Sequence, residues 1–398
     1  MLEVAEAQAR IWASVRTGPA EWVTLADAAG RVLARDVAAK RAQPPQAMSA
    51  MDGYAVRAAD TASPMRVVGE VPAGRAFERP ITRGEAVRIF TGGVLPEGAD
   101  AVLIQEDAVR DGPNLTARSD VTPGLFVRRA GLDFAAGWVG LEAGRVLDPR
   151  ALGLAAAMGH GFLEVRQRPR VALIATGDEL RLPGETPAPQ QIISSNTTAL
   201  LAMVRAWGGT PVDLGIVADE PASLASALDQ ARHADMVVTT GGASVGDFDL
   251  VQKVAGEEGM TLDFWKIRMR PGKPLIFGDL HGRPFLGLPG NPVSAAVCAI
   301  VFLRGALRRH LGLAPDLPTV RRPLAAAVPK NGERRDHMRG FARGEEGAVA
   351  PADAQDSSMF ATFAAADVLI VRPPHAPALE AGEVVECIDL HRVFDPLR

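Results

Sequence analysis

The chain has 398 residues, more than one ordinary domain, with 47% apolar and 23% charged residues, the balance of a multidomain globular protein. A formal net charge of −4 argues against a broad nucleic-acid-binding surface. Cys298 and Cys387 are the only cysteines, which argues against a disulfide framework or a cysteine zinc cluster and suits a reducing cytoplasm.

Residues 3–16 place Val4, Ala7, Ile11 and Val15 on one face of a helix. This segment lacks the basic start and apolar core of a signal peptide, and no run reaches the roughly 18 apolar residues that span a bilayer, so no membrane partner is expected. Thr24 announces a second short helix over 24–29, stopped by Gly30. Residues 31–40 read as extended, and QPPQAMSAMDGYAVR (43–57) opens as a polar proline loop. The runs MRVVGEV (65–71), EAVRIF (85–90) and DAVLIQEDAV (100–109), separated by Pro/Gly turns, predict a small β-rich module. A helix is expected over 149–158, ended by Gly159.

RVALIAT (170–176) is a continuous apolar run of the buried-strand type. A helix over 197–207 with Asn196 as N-cap, a strand over 211–217, a helix over 221–232, a strand over 235–240 and a helix over 249–258 follow in turn. This alternation predicts a parallel α/β sheet with helices on both faces. An extended pair, 262–269 and 274–278, leads to FLGLPGNPVSAAVCAIVFLRGAL (285–307), which reads as a strand, a proline loop and a long apolar helix. From 318 to the end the texture is β-rich. The fold class is therefore multidomain α/β plus β: a central parallel α/β sheet domain, an N-terminal helical and extended module, an inserted β-rich module and a C-terminal β domain.

Three unusual loops follow strand ends, where α/β sheets bind ligands: TGDEL (176–180), TTGGASVGDFD (239–249) and GLPGNPVSA (287–295). Their glycines allow sharp turns and close approach of the backbone, and free N–H groups near a helix start favour anions. Neither GxxxxGK[ST] nor GxGxxG occurs, so a Walker loop and a nicotinamide fingerprint have no support. Asp247 and Asp249, just after paired glycines, suit a divalent cation, with Mg²⁺ favoured because it takes one or two carboxylates plus phosphate oxygens and water. In WKIRMRPGKPLIF (265–277), Lys266, Arg268 and Arg270 alternate along one strand face and Lys273 follows at the turn. They form either a solvated basic edge or a clamp for phosphate or an oxyanion. RRDHMR (334–339) is a second basic cluster, and the Asp52-Gly53 turn of SAMDGYAVR offers a carboxylate from another module to a cleft. The seven histidines show no metal-ligand spacing, and no GxSxG elbow or Cys/His constellation appears.

In this order, SAMDGYAVR, RIFTGGVLPEGADAV (88–102), TGDEL, GGASVGDFD, RPGKPLIFG and GLPGNPVSA resemble the molybdopterin molybdenumtransferase family, the MoeA-type enzymes, similar to the E domain of gephyrin. The resemblance spans essentially the whole chain. It implies an elongated homodimer of four-domain protomers: 1–41 with 141–168 as a linker and dimerisation domain, 42–140 as an inserted β-rich domain, 169–315 as the molybdopterin-binding α/β domain and 316–398 as a C-terminal β domain. It also implies a cytoplasmic reaction that inserts molybdate into adenylated molybdopterin with release of AMP, using Mg²⁺ or a similar divalent cation. A transient contact with the molybdopterin adenylyltransferase is implied as well.

Carried over by position, the resemblance points to Asp52, Thr91, Glu179, Asp249, Lys266 and Lys273 as catalytic, and to Asp247, Asp249 and Glu179 as metal-holding. It points to Asp133, Thr176, Gly177, Asp219, Gly241, Gly242, Ser244, Arg270, Pro289, Asn291, Pro292, Ser294, Arg334, Arg339 and Ser357 as substrate-binding, with Arg334 and Arg339, and Ser357 and Ser358, left as alternatives. Arg270 stands where a lysine is usual, Asp247 where some relatives have Glu, and PPQAM lacks a phenylalanine often found before SAMDGYA. The competing readings are an adenylyltransferase, a CinA-type deamidase and a scaffold. SAMDGYA, GLPGNPVSA and the two β-rich modules count against the two enzymes, and the pairing of Asp52 and Asp249 with Lys266 and Lys273 counts against the scaffold.

Overall fold

A computed structural model describes residues 1–72, 74–241, 250–344 and 347–395. The chain divides into two compact units, one of Met1–Trp22, Gly30–Ala34 and Glu164–Arg398, the other of Val23–Ala29 and Arg35–Leu163. Among the described residues no helix is long and apolar enough to cross a membrane.

The first unit is built on a six-stranded sheet in the order 210–217, 170–176, 236–240, 283–288, 274–280, 260–266. Successive side chains of a strand point to opposite faces, and the core divides accordingly. Val171, Leu173, Met236 and Val238 pack with the helices Val4–Ser14, Ser195–Ala206 and the 292–310 helical run. Ala172, Ile174 and Val237 pack with Leu224 and Leu228 on one helix and Val251 and Val254 on another. A strand covered on both faces needs the continuous apolar run seen at 170–176. The four strands from 210–217 to 283–288 are parallel. The last two are antiparallel, unlike the all-parallel expectation. The reason is local: His281 and Gly282, both at positive φ (55° and 79°), make a two-residue turn between 274–280 and 283–288, which can join only antiparallel neighbours.

A second six-stranded sheet in this unit runs 269–270, 335–343, 368–372, 384–389, 319–323, with 348–351 paired to 335–343. Leu369, Val371 and Ile388 of this sheet enter the same apolar core as the helices under the first sheet.

The other unit carries a sheet in the order 101–104, 53–56, 85–89, 65–71, 114–117, 108–111, with Val56, Met65, Ala86, Leu103 and Leu115 in its core. Its helix Pro149–Ala157 starts at Asp148, whose carboxylate accepts from Ala151 N at 2.7 Å, with proline where a missing N–H costs nothing. The helix expected over 24–29 is absent: Ala20–Thr24 is a strand, followed by a turn. Thr24 does use its hydroxyl, accepting from Asp27 N and donating to the Asp27 carboxylate, but the same bonds close a turn as readily as they open a helix.

Candidate functional site

Three neighbouring parallel strands, 170–176, 236–240 and 283–288, end side by side, with Ala175 opposite Thr240 and Thr240 opposite Leu288. Beyond these ends lies a cavity of about 700 Å³ lined by Thr176, Glu179, Asn196, Gly241, Pro289, Asn291, Pro292 and Ser294, among others. Seven of the expected site residues thus come together: Thr176, Glu179, Gly241, Pro289, Asn291, Pro292 and Ser294.

Glycine is required at two points of this wall. Gly241 sits at φ +92°, and a Cβ there would strike the Thr176 carbonyl. Gly177, at φ +144°, would place a Cβ 2.7 Å from the Glu179 carboxylate. The floor is polar and ordered. Asn196 donates through Nδ2 to Thr240 Oγ1 at 3.0 Å and to the Gly290 carbonyl at 2.7 Å. Asn196 was expected as a helix cap, but the helix begins at Ser195 with Ser194 before it. Its side chain ties two loops of the cavity instead, a role that no local sequence signal announces. Thr176 is 3% exposed, and its Oγ1 has no hydrogen-bond partner among the described residues. Leu180, Ile192 and Ile193 add an apolar lip: Leu180–Arg181 pairs in parallel with Ile192–Ile193, and Ile192 is 57% exposed at the rim.

A segment of the second sheet's domain closes one side. Asn291 Nδ2 donates to Ser357 Oγ at 2.9 Å, Val293 N donates to the Ser357 carbonyl at 3.0 Å, and Ser358 lines the cavity. Arg339, 2% exposed, donates to the carbonyls of Asp356 (2.8 Å) and Ala354 (3.2 Å). It therefore braces the Ser357–Ser358 segment from within. Asp356, tied to the Ser358 hydroxyl and backbone N–H, has its pKa held below the ordinary carboxylate value by those bonds.

The basic residues separate into different places. Arg270, Lys273 and Arg334 line a second cavity of about 400 Å³ with Asn331, Gly332 and Glu333. The strand that begins at Met260 ends at Lys266, and Met269–Arg270 pairs with 335–343 in the other sheet, so Lys266, Arg268 and Arg270 do not share one strand face. Lys266 lies over the Trp265 ring, its Nζ 3.4 Å from the ring centroid. Arg268 pairs with Glu3 at 3.1 Å. Arg270 faces the buried Asp336 at 3.8 Å, and burial pushes the Asp336 pKa up while the Arg270 charge opposes that rise.

Asp219 N bonds the Asp178 carboxylate at 3.2 Å. Burial first, then the charges of Asp178 and Glu179, raises the pKa of Asp219. Among the described residues no three His, Cys, Asp or Glu side chains converge as a ready metal site. Gly242, Ser244, Asp247 and Asp249 lie outside the described residues.

In the other unit, Asp52 Oδ1 accepts from both Thr91 N (2.7 Å) and Thr91 Oγ1 (2.8 Å). These bonds, the backbone one first, lower the Asp52 pKa, and the Arg88 charge adds to the effect. Asp133 is exposed on a turn where its N–H bonds the Gln43 carbonyl.

The fold is thus an α/β sheet with a polar, glycine-walled cavity at its strand ends, the usual place for a ligand in such sheets, and a separate cavity lined by Arg270, Lys273 and Arg334. Residues 2–159 match the MoeA N-terminal region (domain I and II), 172–309 a probable molybdopterin binding domain and 321–390 the MoeA C-terminal region (domain IV). The chain is 37% identical over 382 residues to molybdopterin molybdenumtransferase 2 of Mycobacterium tuberculosis, covering 92% of this chain and 94% of that protein. It is 33% identical over 374 residues to the molybdopterin molybdenumtransferase of Haemophilus influenzae, covering 92% of each. Among solved structures it resembles the molybdopterin biosynthesis MoeA protein from Pyrococcus horikosii, with a TM-score of 0.89, 30% identity and 98% and 99% of the two chains covered. The chain belongs to the molybdopterin molybdenumtransferase family.

Proposed function

We propose that this protein is a transferase of molybdenum cofactor biosynthesis that inserts molybdate into adenylated molybdopterin and releases AMP. The observation that carries the reading is the cavity at the strand ends, formed by the TGDEL and GLPGNPVSA loops and large enough for a pterin with its phosphate arm. Phosphoric anhydride cleavage depends mostly on positioning and charge neutralisation. In this reading Thr176, Gly177, Gly241, Asn291 and Ser294 bind and orient the substrate, with Pro289 and Pro292 shaping the loop that holds it. Arg270, Lys273 and Arg334 attract the oxyanion, and Lys266 adds positive charge nearby. Arg339 acts through the Ser357 segment. No protein nucleophile is required, so no covalent enzyme intermediate is expected.

Among the described residues Glu179 is the one expected metal-holding carboxylate that lines the cavity, and its charge adds, after burial and Asp178, to the raised pKa of Asp219. Glu179, with Asp247 and Asp249, would hold Mg²⁺, which supplies neutralisation of phosphate charge. We further read the chain as the four domains set out from its sequence, working in the cytoplasm as a homodimer that meets the molybdopterin adenylyltransferase transiently. Asp52, Thr91 and Asp133 of one protomer would face the cavity of the other. Incubation with adenylated molybdopterin, molybdate and Mg²⁺ tests the reaction. Molybdate-dependent AMP release is the expected result, and binding without turnover would favour a scaffold.

A further inference from the structure

The turn that carries Asp52 is held at several points. Its carboxylate Oδ1 accepts from Thr91 N and Thr91 Oγ1, and its carbonyl accepts from Gln105 N at 3.2 Å. Among the described residues nothing donates to its Oδ2, which leaves that oxygen for a ligand. The next residue is held by Arg88. Nη1 of its guanidinium donates to the Gly53 carbonyl at 3.2 Å, and Nη2 donates to Gln105 Oε1 at 2.8 Å. Arg88 thus joins the residue after Asp52 to the residue whose N–H holds the Asp52 carbonyl. Strand register puts it there: Arg88 stands opposite Tyr54 where 85–89 pairs antiparallel with 53–56, so the two side chains share a face. The guanidinium lies 5.1 Å from the Tyr54 ring centroid and 5.0 Å from that of Phe90, which restrains it further. A planar guanidinium serves two acceptors in a fixed geometry, which a lysine ammonium on its flexible stem does not.

We infer that Arg88 is a positioning residue: by bridging the Gly53 carbonyl and Gln105 it fixes the turn that presents the Asp52 carboxylate to a ligand. This rests on the proposed function, in which Asp52 acts in the reaction, and goes further by naming what aims it. The Thr91 bonds do most to keep Asp52 ionised, and the Arg88 charge adds to them, so charge and position have to be separated.

Two substitutions separate them. Arg88→Lys keeps the charge and loses the fork. Arg88→Met keeps an unbranched side chain beside the two rings and loses both. The Asp52 carboxyl resonance, followed by NMR, should titrate closer to an ordinary aspartate in both variants, because a loosened turn weakens the Thr91 bonds. In both, kcat for AMP release should fall about tenfold with little change in KM, since misplacement acts on the reacting geometry. Gln105→Ala, at an exposed position, removes only the second brace and should move the Asp52 titration the same way by less. It carries the test should the Arg88 variants fail to fold. An Arg88→Lys protein that titrates like wild type would show that charge alone matters and would overturn the positioning role. So would an unmoved Asp52 titration in folded Arg88→Met or in Gln105→Ala. If wild-type protein releases no AMP, the functional reading fails, while the titrations still decide whether Arg88 aims Asp52.

Discussion

Asp52 shows how a few bonds set the chemistry of one side chain. Both Thr91 bonds favour its charged form, so its pKa in the folded protein lies below its unfolded value. The stability it contributes is present above the unfolded pKa and is lost as pH falls through the folded one. Thr91→Val removes only the hydroxyl bond and leaves the larger backbone one. The Asp52 carboxyl resonance should then titrate at higher pH than in wild type, still below an ordinary aspartate, and the acid limb of AMP release should move the same way. An unmoved titration would show that Thr91 Oγ1 has no hold on the charge. Gly241 is a steric case: at φ +92° and against the Thr176 carbonyl, Gly241→Ala should cost at least about 1–3 kcal/mol in denaturant unfolding. Both glycine-rich loops are visible in the sequence as composition. Which glycine meets which carbonyl is not, because Thr176 and Gly241 are 65 positions apart and become neighbours only when their strands pair.

The turn at 270–273 and the segment 354–358 act as units. Arg270 and Lys273 share their cavity with Arg334, so Lys273→Ala and Arg334→Ala should each weaken molybdate binding by roughly 1.5–3 kcal/mol, less at high salt. Calorimetric titration of each variant at two ionic strengths checks this, and undiminished affinity would return the cavity to an ordinary basic surface. Lys266→Ala should matter less, since Lys266 rests on Trp265. Arg339 was a candidate for direct substrate contact from the family resemblance, yet both of its Nη atoms donate to carbonyls of the 354–356 segment. Arg339→Ala should therefore destabilise the fold by roughly 1–3 kcal/mol, through the loss of its buried side chain and of its two bonds to the 354–356 segment. An equilibrium unfolding curve that matches wild type would contradict that role. Alternation along 266–270 suggested one strand face, but strand identity is decided by pairing partners, and the chain changes sheets between Lys266 and Met269.

At the level of the assembled protein, the proposed homodimer predicts complementation. An Asp52→Ala chain mixed with an Asp249→Ala chain should recover AMP release in hybrid dimers, because each mixed dimer retains one intact site. Mixed dimers that form without regaining activity would refute the shared site. The Asp249→Ala homodimer alone should lose Mg²⁺-dependent turnover yet unfold within about 0.5 kcal/mol of wild type.

The linear pattern already determined much of this. The apolar run at 170–176, the strand–helix alternation after it and the glycine loops at strand ends are local signals, because burial on two faces and sharp turns restrict which residues can occupy each position. The six ordered motifs carried the family for the same reason. What only the tertiary structure decided are relations between distant side chains. Asn196 bridges Thr240 and Gly290 rather than capping its helix, and the buried Thr176 hydroxyl has no partner among the described residues. Lys266 rests on the Trp265 ring, and Arg339 is drawn inward. Hydrogen-bond partners and burial are properties of packing, and residues far apart in the chain acquire them only when the sheets assemble.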